Sequence, residues 1–275
     1  MAEELTIGQV FARNQRKMLA LEDEAREEFM QAFQRVRRKL RDRLDSIPDT
    51  PMEIPHFRVM QAQIEQTIRV LQGDLQTVLI DGTRIVGNTA ISQAAEEIAR
   101  LQLRYERILQ PIDFDRAAIL SRSENLLLMQ YQVSLETYGV AMIDEMRKIL
   151  VDGLLSGEFT SRVSRQIAML GGIFDRQAFR AERIVRTELN NAYNTHHLES
   201  YRQAQEEIFP DMKKKWLAMI DDRTGDDSIR LTGQVRALDE RFIDPGTGRS
   251  FLHPPERPNS RCRIIPWRDA WQGAA

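Results

Sequence analysis

Four acidic side chains, one histidine and one cysteine near the C-terminus are the residues whose types could do chemistry. Asp221, Asp222, Asp226 and Asp227 crowd a short polar stretch, and His253 follows at a distance. Oxygen ligands gathered in this way can hold a hard cation such as Mg²⁺, and the reaction class would then be metal-assisted attack on a phosphate ester by a phosphohydrolase or nuclease. Nothing in the chain supplies a glycine-rich phosphate loop or a Ser, His and Asp order to accompany such a site. The same Asp221-Asp222-Arg223-Thr224 run also reads as an ordinary polar turn, because an Asp can bond the backbone two residues on. An arginine nearby, Arg223 or Arg261, would need a planar acceptor such as a carboxylate. Adjacent His196 and His197 project about 100° apart on a helix, so metal ligation is the weaker reading and a surface or interface role the stronger.

Basic residues offer a second chemistry. Arg35, Arg37, Arg38, Lys39, Arg41 and Arg43 form a block near the N-terminus, and Lys213, Lys214 and Lys215 precede Trp216. Both could touch DNA phosphates without reading sequence, giving an accessory, steeply salt-dependent binding. Acids at Glu22, Asp23, Glu24, Glu27 and Glu28 favour a solvated or protein-contacting face for the first block. Global charge makes no case for nucleic acid, since 39 basic residues meet 41 acidic ones.

These groups must be positioned by two kinds of sequence. From Trp216 to Trp267 glycines and prolines punctuate short apolar runs at 216–220 and 262–267, which predicts a small antiparallel sheet with polar loops. Before it the chain is helical. Phe29, Phe33, Val36, Leu40 and Leu44 recur at three and four residues within a helix over 6–47, which ends at Pro48. Phe57, Met60, Ile64, Leu71, Leu75 and Val78 continue the pattern to an end near Gly82 or Gly87, and another helix follows to Ile108. Stripes of this length call for helical partners, within the chain or outside it.

After Pro111, Asp113 or Asp115 can cap an apolar stretch over 117–155, which Gly139 divides and whose Leu and Met residues are expected in a core. Thr160 is a candidate N-cap for a helix ending at Gly171-Gly172, and Asp175 for a long helix running to about Glu207. Arg186 and Glu188 are too close in sequence to meet on one helix. Glu188 therefore needs a partner elsewhere, Arg223 or Arg261 being the candidates, with Asp221 or Asp222 as a second acceptor.

The fold class expected is mainly α with a small α+β C-terminal domain: long amphipathic helices as bundle or stalk, then a long helix packed on a small antiparallel sheet. Residues 1–110 form an elongated helical region for partner contact, 111–155 apolar connecting helices, and 156–275 the C-terminal domain. A single Cys excludes an intrachain disulfide framework and fits a reducing compartment. No apolar run approaches the length of a membrane span, and no signal peptide is expected.

The ordered set Arg186-Thr187-Glu188, Asp221-Asp222-Arg223-Thr224, Leu231-Thr232-Gly233-Gln234-Val235 and Asn259-Ser260-Arg261-Cys262-Arg263 resembles the phage head morphogenesis family, the Mu F-like minor head proteins. The resemblance covers about residues 155–268. It implies a structural minor capsid protein of a tailed phage, not an enzyme, present in several copies, with the portal protein as first partner and the major capsid or scaffold protein as others. It also implies work in head morphogenesis and DNA packaging or delivery, in host cytoplasm and then in the virion interior near the portal vertex. Its structural motif residues would be Arg186, Thr187, Glu188, Asp221, Arg223, Thr224, Gly233, Asn259, Arg261 and Cys262. Cysteine-bearing members carry Cys at the positions of Gly225, Ser228 and Ser260 as well as Cys262. With one Cys left of four, neither a structural zinc nor any other cofactor is expected.

Overall fold

The computed structural model describes residues 6–107, 109–169 and 172–271. Long helices dominate: α1 (Ile7–Asp45), α2 (Ile54–Tyr105), α3 (Arg116–Ser156), the short α4 (Thr160–Ala168) and α5 (Ile173–Glu207). The C-terminal part adds β1 (Lys213–Leu217), α6 (Asp226–Leu231), β2 (Val235–Ala237), β3 (Phe242–Ile243), β4 (Ser250–Phe251) and β5 (Arg263–Trp267), then a single 3₁₀ turn at Asp269–Trp271. The protein is thus mainly α with a small α+β C-terminal part, and its sheets are antiparallel.

Two compact units are interleaved along the chain. One comprises Met1–Asp23, Asp81–Leu128 and Arg186–Ala275; the other comprises Glu24–Ile80 and Met129–Val185. Each is stabilised by a different mix of residues.

The second unit is apolar in its logic. Phe29, Phe33, Val36, Leu40 and Leu44 of α1 are all buried, as are Met60, Ile64, Leu71 and Leu75 of α2. Phe33 meets the Phe174 ring at 4.7 Å between centroids. The apolar stripe of this part of α1 is therefore satisfied within its own unit and is not left for another protein. The Pro48–Pro51 link pairs with the turn before α4: Pro51 bridges Phe159, and the Thr160 hydroxyl donates to the Pro48 carbonyl at 2.8 Å. Thr160 is the first residue of α4 and not its N-cap. Asp49 accepts the Ser161 N–H at 3.1 Å, so the helix end is capped from a distant residue. Of the expected helix end, Leu170 and Gly171 lie outside the described residues, as does Ile108 at the expected end of the preceding helical stretch.

Two glycines that read as helix breaks are packing positions. α2 runs unbroken past Gly82 and Gly87, and a Cβ at Gly87 would sit 2.7 Å from Leu120 and 2.9 Å from His196 Nε2. α3 runs unbroken past Gly139, where a Cβ would collide with the Gln72 amide. A helix tolerates an interior glycine at about 1 kcal/mol when close packing compensates. Asp115 caps α3 by accepting the Ala118 N–H at 3.0 Å. Asp175 lies inside the first turn of α5 and accepts from Arg37 Nη1, so its role is an ion pair more than a cap.

In the first unit, α5 is buried along much of its circumference although its residues are largely polar. Asn190, Asn194, His196, His197 and Ser200 are all enclosed beside Leu189, Ala192 and Tyr193. Such burial requires hydrogen bonds, and these are made with the sheet and with the helix itself. The three-stranded sheet has the order β2-β1-β5, with Trp216 opposite Ile264 and Lys214 opposite Arg236. The free edge of β5 is covered by side chains: the Ile264 N–H donates to Asn194 Oδ1 at 2.8 Å and Arg263 Nε to the Ile264 carbonyl at 3.4 Å. A second pair, β3 with β4, brings Phe242 opposite Phe251. Trp216, Phe242, Ile264, Ile265 and Trp271 join Ile91, Ile98, Leu198 and Tyr201 in one core.

Candidate functional site: the polar clasp of the C-terminal unit

The Asp221–Thr224 turn is built locally. The Thr224 N–H donates to the Asp221 carbonyl at 2.9 Å, the Arg223 N–H to Asp221 Oδ1 at 2.9 Å, and the Asp221 N–H to Thr224 Oγ1 at 2.8 Å. Both Asp221 oxygens then accept from the Arg261 guanidinium, a bidentate pair joining two loops 40 residues apart. This pairing, with the Arg223 N–H, holds the Asp221 carboxyl far below the usual carboxylate range. Arg223 itself is exposed, while Asn259, left-handed at φ 57°, donates its N–H to Thr187 Oγ1 at 3.2 Å and so ties the closing segment to α5. Glu188 is half-buried and has interactions of its own. Gly233, at φ 85°, makes the tight reversal after α6 and donates its N–H to the Trp216 carbonyl at 2.9 Å.

Other acids of the cluster also answer to arginines. Asp227 lies 3.2 Å from Arg257 Nε, and buried Asp244 accepts from Arg230 Nη2 at 2.8 Å while also accepting the Gly246 N–H and the Thr247 hydroxyl. Among the described residues no three His, Cys, Asp or Glu side chains converge as a metal ion would need. His253 turns its Nδ1–H to the Pro254 carbonyl at 2.6 Å, and burial pushes its pKa down to about 4.

Ser228, Ser260 and Cys262, three of the four positions at which cysteine-bearing relatives are expected to carry thiols, converge on one buried carboxylate. Glu256 accepts from the Ser228 hydroxyl, from the Ser260 hydroxyl at 2.7 Å and from Cys262 Sγ at 3.4 Å. Burial, and the charge of Glu256 after it, push the Cys262 thiol up to about 11, so it stays a thiol and is a poor nucleophile. The fourth position, Gly225, has no side chain; a Cβ there would meet Asp227 and Arg257 within 2.8 Å.

Two clasps were not legible in the sequence. Arg263 of β5 is fully buried and donates through Nη2 to Glu97 Oε2 of α2 at 2.6 Å; Asn14 of α1 donates to the other Glu97 oxygen at 2.8 Å. Burial pushes the Glu97 carboxyl up, and the Arg263 guanidinium and Asn14 amide pull it back. Aromatic faces of Tyr193 and Phe11 flank the guanidinium at 5.6 and 5.9 Å. Nearby, Glu22 of α1 is buried with Oε1 unbonded, beside Arg186 and Asn190 of α5. Burial raises its pKa to about 8, with Arg186, Asn190 and Arg261 pulling it down and Asp23 pushing it up. Arg186 itself donates to Asp23 at 2.7 Å. Only the polarity of these residues within apolar stripes hinted at such contacts, since the partners of Glu97 lie 83 and 166 residues away and those of Glu22 are equally remote.

The histidine pair is buried and not at the surface. His196 Nδ1 donates to the Ala192 carbonyl at 2.6 Å and His197 Nδ1 lies 2.9 Å from the Tyr201 hydroxyl; burial lowers both pKa values. The three lysines belong to β1, whose alternation divides them. Lys213 pairs with Asp269 at 2.7 Å, Lys215 lies over the Trp267 ring at 4.3 Å, and Lys214 is enclosed, its ammonium donating to the Leu238 carbonyl at 2.7 Å. Burial lowers the Lys214 pKa to about 7. In the N-terminal block Arg35, Arg38, Lys39 and Arg43 are exposed, whereas Arg37 pairs with Asp175 and Arg41 with Asp42 at 3.1 Å.

No curated protein and no solved structure matches the chain. A family model described as Phage Mu protein F like protein matches residues 144–265, a span that takes in α4, α5, the Asp221 turn, the Glu256 cluster and most of β5. Through that region the chain is similar to the Mu F-like phage head morphogenesis proteins.

Proposed function

We propose that the protein is a structural, non-enzymatic minor head protein of a tailed phage, bound at the portal or inner shell and acting in head morphogenesis and in DNA packaging or delivery. It would be made in host cytoplasm and end inside the virion near the portal vertex, in several copies. One observation carries the reading: the motif side chains that might have formed a reactive cluster instead bind one another. Asp221 meets Arg261, Asp227 meets Arg257, and Cys262 is a buried thiol facing Glu256. Asp221 and Asp227 are thereby committed to arginines, and the buried Cys262 thiol is not an activated nucleophile. In this reading the segments 1–110, 111–155 and 156–275 differ in role along the chain, not in compactness.

Exposed Arg35, Arg38, Lys39 and Arg43 favour one secondary reading, sequence-blind contact of α1 with packaged DNA. Lys213, Lys214 and Lys215 contribute little to it, because each is held by a partner within the C-terminal unit. The reading of the acidic turn as a phosphohydrolase or nuclease site has no such support. Co-purification with the portal protein of the same phage, at low and high salt and with free DNA as competitor, separates the two. Retention at high salt supports the head-protein reading; loss of portal binding together with salt-sensitive DNA binding would replace it with the DNA-accessory one.

A further inference from the structure

Within the second unit one helix face carries apolar side chains that nothing covers. On α3 Met129, Val133, Val140, Val151 and Leu155 are 68, 65, 61, 37 and 80 % exposed. At 3.6 residues per turn these five positions fall within an arc of about 80° and extend over roughly 39 Å of helix. The opposite face of the same helix is fully engaged, with Leu135, Met142, Met146 and Leu150 buried. Isolated surface leucines and valines are ordinary; here two apolar patches, Met129 to Val140 and Val151 to Leu155, share one helix face on either side of exposed Asp144 and Arg147, which makes the face a contact surface.

The charges beside the stripe say what fits it. Glu136 and Arg147 lie on the same flank, on either side of its middle. Two copies of α3 placed antiparallel about a two-fold axis near residue 142 bring Met129 opposite Leu155 and Val133 opposite Val151, and set Glu136 within one residue of level with Arg147, each pair twice. Flanks of the same hand meet in an antiparallel pair, so both acid–base pairs form on approach. Asp144, which would lie near Val140, has its own Arg147 at 3.7 Å to balance it. Among the described residues Arg147 lies 3.7 Å from both Asp144 and Glu65 and is 47 % exposed. A parallel pairing would put the two Glu136 side chains on opposite flanks of the seam and form neither acid–base pair.

We propose that this face of α3 is a self-association surface, and that its occupant is α3 of a second copy of the chain, antiparallel and in the register just described. It goes beyond the head-protein reading and does not depend on it. A strip roughly 39 Å long and about 10 Å wide removes on the order of 400 Å² from each copy. That is about half of what a stable interface removes per partner. The pairing is thus concentration-dependent and takes effect where copies are gathered.

Sedimentation equilibrium of the full chain across a wide concentration range, with engineered disulfides, tests it. The wild type should pass from monomer to dimer, and Val133→Glu, at an exposed position, should weaken dimerisation at least tenfold while leaving the circular dichroism spectrum and Tm unchanged. Glu136→Arg and Arg147→Glu should each weaken it, and the two together restore it. A Val133→Cys chain should cross-link to a Val151→Cys chain and not to itself, since the two 133 positions would lie about 27 Å apart. The one native cysteine, Cys262, is buried and does not compete. A chain that stays monomeric at every concentration, even if another head protein then covers the stripe, overturns the proposal, and so does self-cross-linking of Val133→Cys.

Discussion

The two compact units use opposite means to the same end. Glu24–Ile80 and Met129–Val185 are stabilised by aliphatic and aromatic stripes, Phe33 against Phe174 among them, with ion pairs such as Arg26–Glu182 only partly buried. The other unit encloses a buried guanidinium, four buried carboxyls, two buried histidines and a buried lysine around α5 and the sheet. The difference teaches where specificity comes from. Apolar stripes fix which faces pack, yet tolerate repacking; a buried charge with a single geometrically matched partner fixes which strand meets which helix. We offer that second statement as a hypothesis for Arg263 and Glu97, which join β5 to α2.

The largest effect should come from breaking that pair. Arg263→Ala leaves Glu97 enclosed without its counter-charge and should cost about 3–5 kcal/mol. All three tryptophans, Trp216, Trp267 and Trp271, belong to this unit, so tryptophan fluorescence reads its unfolding separately from the helix signal of the whole chain. Loss of α-helical circular dichroism in step with fluorescence would show that the units do not unfold separately. In the apolar unit, Leu71→Ala should cost about 2–5 kcal/mol through the cavity it leaves, with the fluorescence transition moving less than the helical one.

Acidity distinguishes the units next. Glu22 has a folded pKa raised to about 8 against an ordinary 4.5, so its burial favours folding fully below the lower value and that contribution is lost as pH rises through the upper one. The stability of the C-terminal unit should therefore decline between about pH 4.5 and 8 relative to a Glu22→Gln chain, whose profile lacks this component. His253, lowered to about 4, acts oppositely: stability lost in acid returns as pH rises toward its ordinary 6.5. Thermal melts of wild type and Glu22→Gln at pH 5 to 9 check the sign. Identical profiles would mean that Glu22 is not held protonated.

The smallest effect should be at the surface turn. Asp221→Ala and Arg261→Ala should each lower Tm modestly, since the pair is partly solvated, and the double variant should lose little more than either single one. A catalytic role would instead leave Tm unchanged and abolish an activity.

How much of this was legible in the sequence follows from range. The three-four spacing of Phe29, Phe33, Val36, Leu40 and Leu44, the stop at Pro48, and the run at 262–267 rest on neighbours a few residues apart and each marks a real element, whereas the strand expected at 216–220 begins three residues earlier and ends at Leu217. Gly87 and Gly139 misled because a glycine that breaks a helix and one that admits a neighbour look alike until the neighbour, His196 or Gln72, is known. α6 falls where the sequence predicts only polar loop, because its six residues carry no periodic signal. The apolar residues of α3 were expected in a core, yet Met129, Val133 and Leu155 face outward; a helix apolar on several sides does not declare which side its unit uses. Of the site, the Asp221–Arg261 partnership could be framed from the sequence, whereas Glu22, Glu97 and Glu256 could not, because nothing local marks a carboxylate as the one an arginine or serine across the fold will bury.

The central claim, that the closing motif is spent on structure, is tested most directly by a double-mutant cycle on Glu97 and Arg263. Glu97→Leu and Arg263→Met should each destabilise by several kcal/mol, about 3–5, and the double variant should recover most of the loss, because no unpaired charge remains buried. Singles that simply add in the double variant would contradict the account: Arg263 and Glu97 would then be independent residues, and the motif would need another purpose.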